Sequence, residues 1–392
     1  MMPAQGEHMA LFDSDPADPS LYDHDPGTVD PAAPAGWDPW RARPEDADFR
    51  VLVLGTSISW GQGLDRHEKF AHLVARAFAR DGKITRPAIV SYAHSGACIW
   101  DAPPRGLARQ RLAPHAPSSF AEARAASRAA RPRLAPGARN SGAGPGECPS
   151  RPAHVWLQAA SAATLFARAR VRPNVVLLDA GANDLGFMSI VDPNTSPAEI
   201  VGPINNLGGS LRNLITAVQN DPWLAAPIVV SGYYQAFTDS FDLANLPGGD
   251  SGLVVADSFR CFGLVPMLRG LVTPSLISIW ERNAAALRRG FNGEAGWNGG
   301  LLPAEVQGTG ARFADPSFGV DDGLLSPETK IWGPDGSGNP MDHALDDRFR
   351  DCLPNHGDAT TYLMHTRASF GHPNPAGAEL YARAILRECA QL

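Results

Sequence analysis

NVVLLDAGAND, residues 174–184, decides the fold. Val175, Val176, Leu177 and Leu178 follow one another without polar alternation, and the run stops at Asp179 and Gly181. A short unbroken apolar run of this kind reads as a strand buried on both faces, the kind that parallel sheets use. Outward from it, residues 50–54 (RVLVL), 88–92 (AIVSY) and 227–231 (PIVVS) have the same character. Helical spacing fills the intervals: 70–79, with Leu73, Val74 and Phe78 on one side, then 153–169, 197–220 with a weak point at Gly208-Gly209, and 275–291. Residues 375–392 close the chain as another helix, and Pro375 suits its first turn. Strands alternating with helices predict the α/β class, a three-layer α/β/α sandwich around a central parallel sheet.

The composition agrees with a large core: of 392 residues, 44% are hydrophobic and 19% charged. Glycine (39) and proline (35) together make nearly a fifth of the chain, so much of its length is loop. Residues 1–48 carry eleven acids against two arginines, with repeated Asp-Pro steps and no periodic apolar face. They predict a disordered acidic leader, in which Phe12, Tyr22, Trp37 and Trp40 are the candidates for local docking. Residues 102–146 hold eight arginines and one acid, Glu122, and predict a mobile Arg/Ala/Pro-rich surface insertion with a short helix over 118–130. Residues 236–350 are rich in Gly, Pro and Asp and poor in strand signals, which predicts a loop-rich cover over one end of the sheet. The folded domain is expected over 49–392.

Several function classes fall away. A net charge of −7 argues against nucleic acid as a partner, since phosphate binding needs a basic surface. No apolar run approaches the ~18 residues that cross a bilayer. The first twenty residues lack the basic and apolar regions of a signal peptide, which points to the cytoplasm, with secretion the alternative. Cys98, Cys148, Cys261, Cys352 and Cys389 form no CxxC pair, and His94, His343, His356 and His365 have no metal-ligand spacing, so no metal site is expected. The cysteine count leaves room for one or two disulfides.

In doubly wound sheets, reactive groups sit on loops beyond the carboxyl ends of the strands. Here the first strand runs into Gly55-Thr56-Ser57, the second into His94-Ser95-Gly96-Ala97 and the third into Gly181-Ala182-Asn183-Asp184. Ser369-Phe370-Gly371-His372-Pro373-Asn374-Pro375 sets a histidine just ahead of the last helix. Singly, each has an ordinary structural reading: a helix cap, a turn satisfied by its own Asn and Asp, a loop histidine. The glycines near Ser57 fit neither of the phosphate-binding patterns GxGxxG and GxxxxGK[ST]. Trp60, Trp100, Phe187, Met188, Tyr233, Tyr234 and Phe237 follow the strand ends, as an apolar wall for an acyl chain or as core.

In order and context the four blocks resemble the SGNH, or GDSL-type, serine hydrolase family of esterases and lipases. That family has a Gly-Asp-Ser turn after strand one, a glycine after strand two, Gly-x-Asn-Asp after strand three and a histidine before the final helix. The matching positions are Gly55-Thr56-Ser57, Gly96, Gly181-Ala182-Asn183-Asp184 and His372. Gly61-Gln62-Gly63-Leu64, Val230-Ser231-Gly232-Tyr233-Tyr234 and Arg367-Ala368-Ser369 extend the resemblance, which spans about 49–392 outside the arginine-rich insertion.

The resemblance implies a flavodoxin-like sheet and hydrolysis of carboxylic esters, lipid or short-chain, through an acyl-serine. Carbohydrate O-deacetylation, acyl transfer and a catalytically silent ligand-binding role are the alternatives on the same fold. It makes Ser57 the nucleophile and His372 the general base, with the backbone N–H groups of Ser57 and Gly96 and the side-chain amide of Asn183 as the oxyanion hole. The partner implied is a small-molecule ester, with no cofactor. Two positions depart from the family: Thr56 stands where it has Asp, and Ser369 stands where it has the Asp that orients the histidine. Either a backbone carbonyl near Ser369 holds His372, the favoured reading, or an acid from upstream does, with Asp342, Asp346, Asp347 and Asp351 as candidates.

Overall fold

A computed structural model describes residues 38–80, 84–99, 119–122, 154–185, 188–242, 274–293, 300–333, 342, 344 and 369–391. Five parallel strands form one sheet: β1 (Phe49–Leu54), β2 (Pro87–Ser91), β3 (Val175–Leu178), β4 (Ile228–Ser231) and β5 (Arg312–Ala314), in the order β2-β1-β3-β4-β5. The helices are α1 (Ser57–Trp60), α2 (Phe70–Arg80), α3 (Val155–Ala169), α4 (Ala182–Leu185), α5 (Met188–Val191), α6 (Pro197–Asn220), α7 (Pro274–Asn292), α8 (Leu301–Val306) and α9 (Pro375–Cys389). The fold is the expected α/β class, an all-parallel sheet flanked by helices in three layers. Helices α2 and α9 pack on one another and on the sheet, and α6 packs with α7 and α8.

The central strands earn their place by burial. Every residue of β3 is buried, as are Val51, Leu52, Val53 and Leu54 of β1, because a parallel sheet covered on both faces leaves no side for polar residues. The strand order then fixes where a site can form. From β1 the chain moves outward to β2, then returns past β1 to β3 and builds in the opposite direction. The loops leaving the carboxyl ends of β1 and β3 therefore part, and ligands of such sheets bind in the crevice between them.

Four features differ from expectation. A fifth strand, β5, lies within the supposed cover, pairing Val229 with Arg312 and Ser231 with Ala314. It is three residues long and half exposed at the sheet edge, so it leaves no apolar run to read. With α7 and α8, it makes the described part of 236–350 more regular than its composition suggests. Helix α6 runs unbroken through Gly208-Gly209, started by a capping box between Ser196 and Glu199. Gly208 is a packing position, not a break: a Cβ there would lie 2.7 Å from Glu305 Oε1 on α8, whose carboxylate also takes an Arg212 ion pair at 2.8 Å.

Residues 38–48, on the leader side of the boundary drawn at 48, also pack against the sheet. Trp40 is buried, its Nε1 donates to Arg66 O at 3.2 Å, and Ile89 N on β2 donates to Pro39 O at 2.8 Å. Lys69 lies over the rings of both Trp40 and Trp60, 5.7 and 3.9 Å from their centroids, tying this strap to the end of α1. Residues 1–37 and all of 102–146 except 119–122 lie outside the described residues, as do the cysteines at 148, 261 and 352. Cys389 is a free thiol, and the Cys98 thiol is buried beside Gly96 O. Among the described residues, no helix is long and apolar enough to cross a membrane.

Because Leu177 is fully buried in the middle strand, Leu177→Ala is expected to cost about 2–5 kcal/mol. In urea unfolding this should appear as a lower midpoint at unchanged slope; an unchanged midpoint would show that the strand is not core.

Candidate active site

The end of β1 turns sharply at Gly55, whose φ is +140°. A Cβ at this position would collide with the carboxylate and carbonyl of Asp179 at the end of β3, so the close approach of the two strand ends requires glycine. The Gln158 carboxamide from α3 clasps the same residue, accepting from Gly55 N at 2.7 Å and donating to Gly55 O at 2.9 Å. His94 N, from the loop after β2, also donates to Gly55 O at 3.1 Å. Three elements thus fix the backbone just ahead of Ser57.

Asp179 then fixes the next residue. Its carboxylate accepts from Thr56 N at 2.7 Å and from the Thr56 hydroxyl, while Thr56 Oγ1 caps α1 by accepting from Ile58 N at 3.3 Å. Asp179 is completely buried, and that burial pushes its carboxyl above the ordinary aspartate range; the hydrogen bonds from Thr56 pull in the opposite direction. The turn itself thus carries threonine, and the acid lies beneath it, just past the end of β3. The result is that Ser57 opens α1, nearly buried at 6% exposure.

His372 comes to Ser57 from the other end of the chain. Its Nε2 lies 2.6 Å from Ser57 Oγ, and its Nδ1 lies 3.2 Å from Ser369 O. A carbonyl only accepts, so this contact places the imidazole proton on Nδ1 and leaves Nε2 as an acceptor facing the serine hydroxyl. The loop is pinned from both sides. Trp332 N donates to His372 O at 2.8 Å and Gly371 N donates to Trp332 O at 3.1 Å, with Ile331 and Pro373 forming an antiparallel bridge. Asn374 caps α9 by accepting from Gly377 N at 3.1 Å, and the Tyr234 hydroxyl donates to Gly371 O.

The second and third loops hold each other. Asn183 Nδ2 donates to Ala97 O at 2.9 Å, next to Gly96, which has φ +79°. The Asp184 carboxylate accepts from Ile99 N at 3.0 Å, so it braces the loop after β2. Asn183 spends one of its two amide hydrogens on Ala97. Gly181, at φ +114°, lets Phe291 pack where a Cβ would come within 2.8 Å of its ring.

Of the four upstream acids, Asp342 is buried and accepts the hydroxyl of Ser369; Asp346, Asp347 and Asp351 lie outside the described residues. Of the aromatics that follow the strand ends, Trp60, Tyr233, Tyr234 and Phe237 are buried members of the core cluster, the second of the two readings open to them. Phe237, for instance, packs on Phe241 and Trp280 at 5.5 and 5.3 Å. Trp100, Phe187 and the Met188 side chain lie outside the described residues. Among the described residues, no group of three His, Cys, Asp or Glu side chains is placed to hold a metal ion. Asp179 and Gln158 were missed by the sequence reading. The available signal for Asp179 was an acid ending an otherwise wholly apolar strand; Gln158 offered none.

No protein-family model matches the chain, and no curated protein does. Among solved structures it is similar to a phospholipase A1 from Streptomyces albidoflavus NA297, at 15% identity and a TM-score of 0.39, covering 87% of this chain and 99% of that one.

Asp179 supplies a pH test of this site. Its folded-state pKa is raised, so it binds its proton more tightly folded than unfolded. Its contribution to stability is therefore full below the unfolded value near 3.8 and is lost as pH rises through the folded value. The urea midpoint of wild type relative to Asp179→Asn should fall as pH is raised from about 4 toward 8. A relative midpoint that rises over this range would contradict the assigned environment.

Proposed function

We propose that this chain is a serine-dependent hydrolase of carboxylic esters, of the SGNH type, with Ser57 as nucleophile and His372 as general base. The observation that carries the proposal is the 2.6 Å contact between His372 Nε2 and Ser57 Oγ, made by residues 315 positions apart, with Nδ1 turned to a carbonyl. A serine at a strand end, in hydrogen-bond reach of an imidazole whose tautomer is set for accepting a proton, is the arrangement that activates a hydroxyl for acyl transfer.

As Ser57 Oγ attacks the ester carbonyl carbon, its proton passes to His372 Nε2. The imidazolium so formed keeps its Nδ1–H on Ser369 O. The carbonyl π bond opens onto oxygen, and the oxyanion is received by the N–H groups of Ser57 and Gly96 and by the Asn183 amide hydrogen not engaged by Ala97. Collapse expels the leaving alcohol, which takes the proton back from Nε2, and leaves an acyl-serine. Water, deprotonated by the same nitrogen, attacks the acyl carbon and returns the free acid and Ser57. The scheme calls for no metal or organic cofactor. The buried carboxylate of Asp179 has its place as the brace of the nucleophile's turn, not as a proton carrier.

Purified Ser57→Ala is expected to lose turnover of p-nitrophenyl esters while keeping the wild-type unfolding midpoint. Asn183→Ala is expected to lower kcat by about 10²–10³-fold, the usual cost of one oxyanion donor. Hydrolysis at the wild-type rate by Ser57→Ala would refute the proposal. A series of p-nitrophenyl esters of increasing acyl length, run with the wild type, reads out whether the preferred acid is short or lipid-like.

A further inference from the structure

We infer that Asp342 is a positioning residue that acts on His372 through Ser369, so that the acid of this site stands one residue further out than a direct partner would. The inference rests on the hydrolase reading above and assigns how the general base is held within it. Ser369 joins the two groups. Its carbonyl oxygen faces His372 Nδ1 at 3.2 Å and accepts from His372 N at 2.8 Å, while its hydroxyl donates to Asp342 Oδ2. Both residues are nearly sealed from solvent, Ser369 at 1% and Asp342 at 5% exposure. A carboxylate carries a large desolvation cost in such a place unless hydrogen bonds compensate it. Asp342 has the Ser369 hydroxyl on one oxygen and Ala344 N at 3.1 Å on the other.

The surroundings are shaped around this pair. Gly63, in the loop that follows the nucleophile's helix, has φ +82°; a Cβ there would lie 2.7 Å from Ser369 Cβ, 2.9 Å from Trp332 Nε1 and 3.0 Å from Asp342 Oδ1. The loop from α1, the segment carrying Trp332 and the histidine loop therefore close on one point, with the carboxylate at it. Trp332 Nε1 is fully buried there, with its N–H near the same point of closure as the Asp342 carboxylate. Lys330, two residues before Trp332, directs its ammonium elsewhere, to Asp322 at 3.8 Å and Glu328 O at 3.0 Å. Asp342 thus brings a negative charge within one side chain of the imidazole, in surroundings of low polarity where such a charge acts strongly. Holding the Ser369 hydroxyl also holds the Ser369 carbonyl, and with it the His372 ring plane.

The test is a coupling cycle on the full chain with p-nitrophenyl butyrate. Asp342→Asn keeps an acceptor oxygen and the shape but removes the charge; kcat should fall roughly tenfold or more, with KM within about twofold. Ser369→Ala keeps the carbonyl and cuts the link, and should lower kcat to a similar degree. If Asp342 acts through Ser369, the two losses do not multiply: the double variant should stay within about threefold of the slower single one. An Asp342→Asn kcat within twofold of wild type, or single losses that multiply, would overturn the inference. Should Asp342→Asn not fold, Ser369→Ala alone decides, since an unchanged kcat there breaks the link. Turnover retained by Ser57→Ala would instead remove the underlying reading, a result separate from either.

Discussion

The 2.6 Å contact between His372 Nε2 and Ser57 Oγ closes a loop of 315 residues, and most of the described structure serves to hold its two ends. Chain entropy opposes such a closure, and no local preference of either segment offsets it. The serine end is held by a fully buried parallel sheet, which delivers Gly55 against Asp179, and by the Gln158 clasp from α3. The histidine end is held by the antiparallel bridge of Pro373 to Ile331 and by α9, which packs on α2 and reaches β4 through the bond from the Tyr381 hydroxyl to Gly232 O at 2.9 Å. Both ends therefore depend on the same core, and a loss of sheet packing separates them.

Two buried carboxylates share the work of orientation. Asp179 sits beneath the turn that carries Ser57, and Asp342 sits behind Ser369, the carbonyl partner of His372. Each is joined to its target through a hydroxyl residue, Thr56 in one case and Ser369 in the other. The two sites thus take one physical form: a buried carboxylate that reaches its target through a hydroxyl set in the gap.

How much of this was legible in the sequence follows from where the information lies. β1 to β4 were readable because strands buried on both faces leave unbroken apolar runs, as Val175 to Leu178 do. β5 was not, since a three-residue edge strand with two half-exposed residues has no such signature. Gly208 looked like a break because propensity is local, whereas α6 is held through it by packing against α7 and α8. Ser57, Gly96 and Asn183 stood out through their order after strand ends and His372 through its place ahead of the last helix, and the structure brings Ser57 to His372 and the loop of Asn183 to that of Gly96. Asp342 was one of four equivalent acids until the fold buried it against Ser369, 27 residues away in sequence. Asp179 was hidden for the same reason: its partner Thr56 is 123 residues distant.

The most direct measurement is peptide mapping by mass spectrometry after exposure of the folded chain to a fluorophosphonate. Phosphonylation requires a hydroxyl deprotonated by a neighbouring base, so it reads the serine–imidazole contact itself without assuming a substrate. A single adduct on Ser57, strongly slowed in His372→Ala, is the result expected. An adduct on another residue, or labelling of Ser57 that is indifferent to His372, would contradict the account.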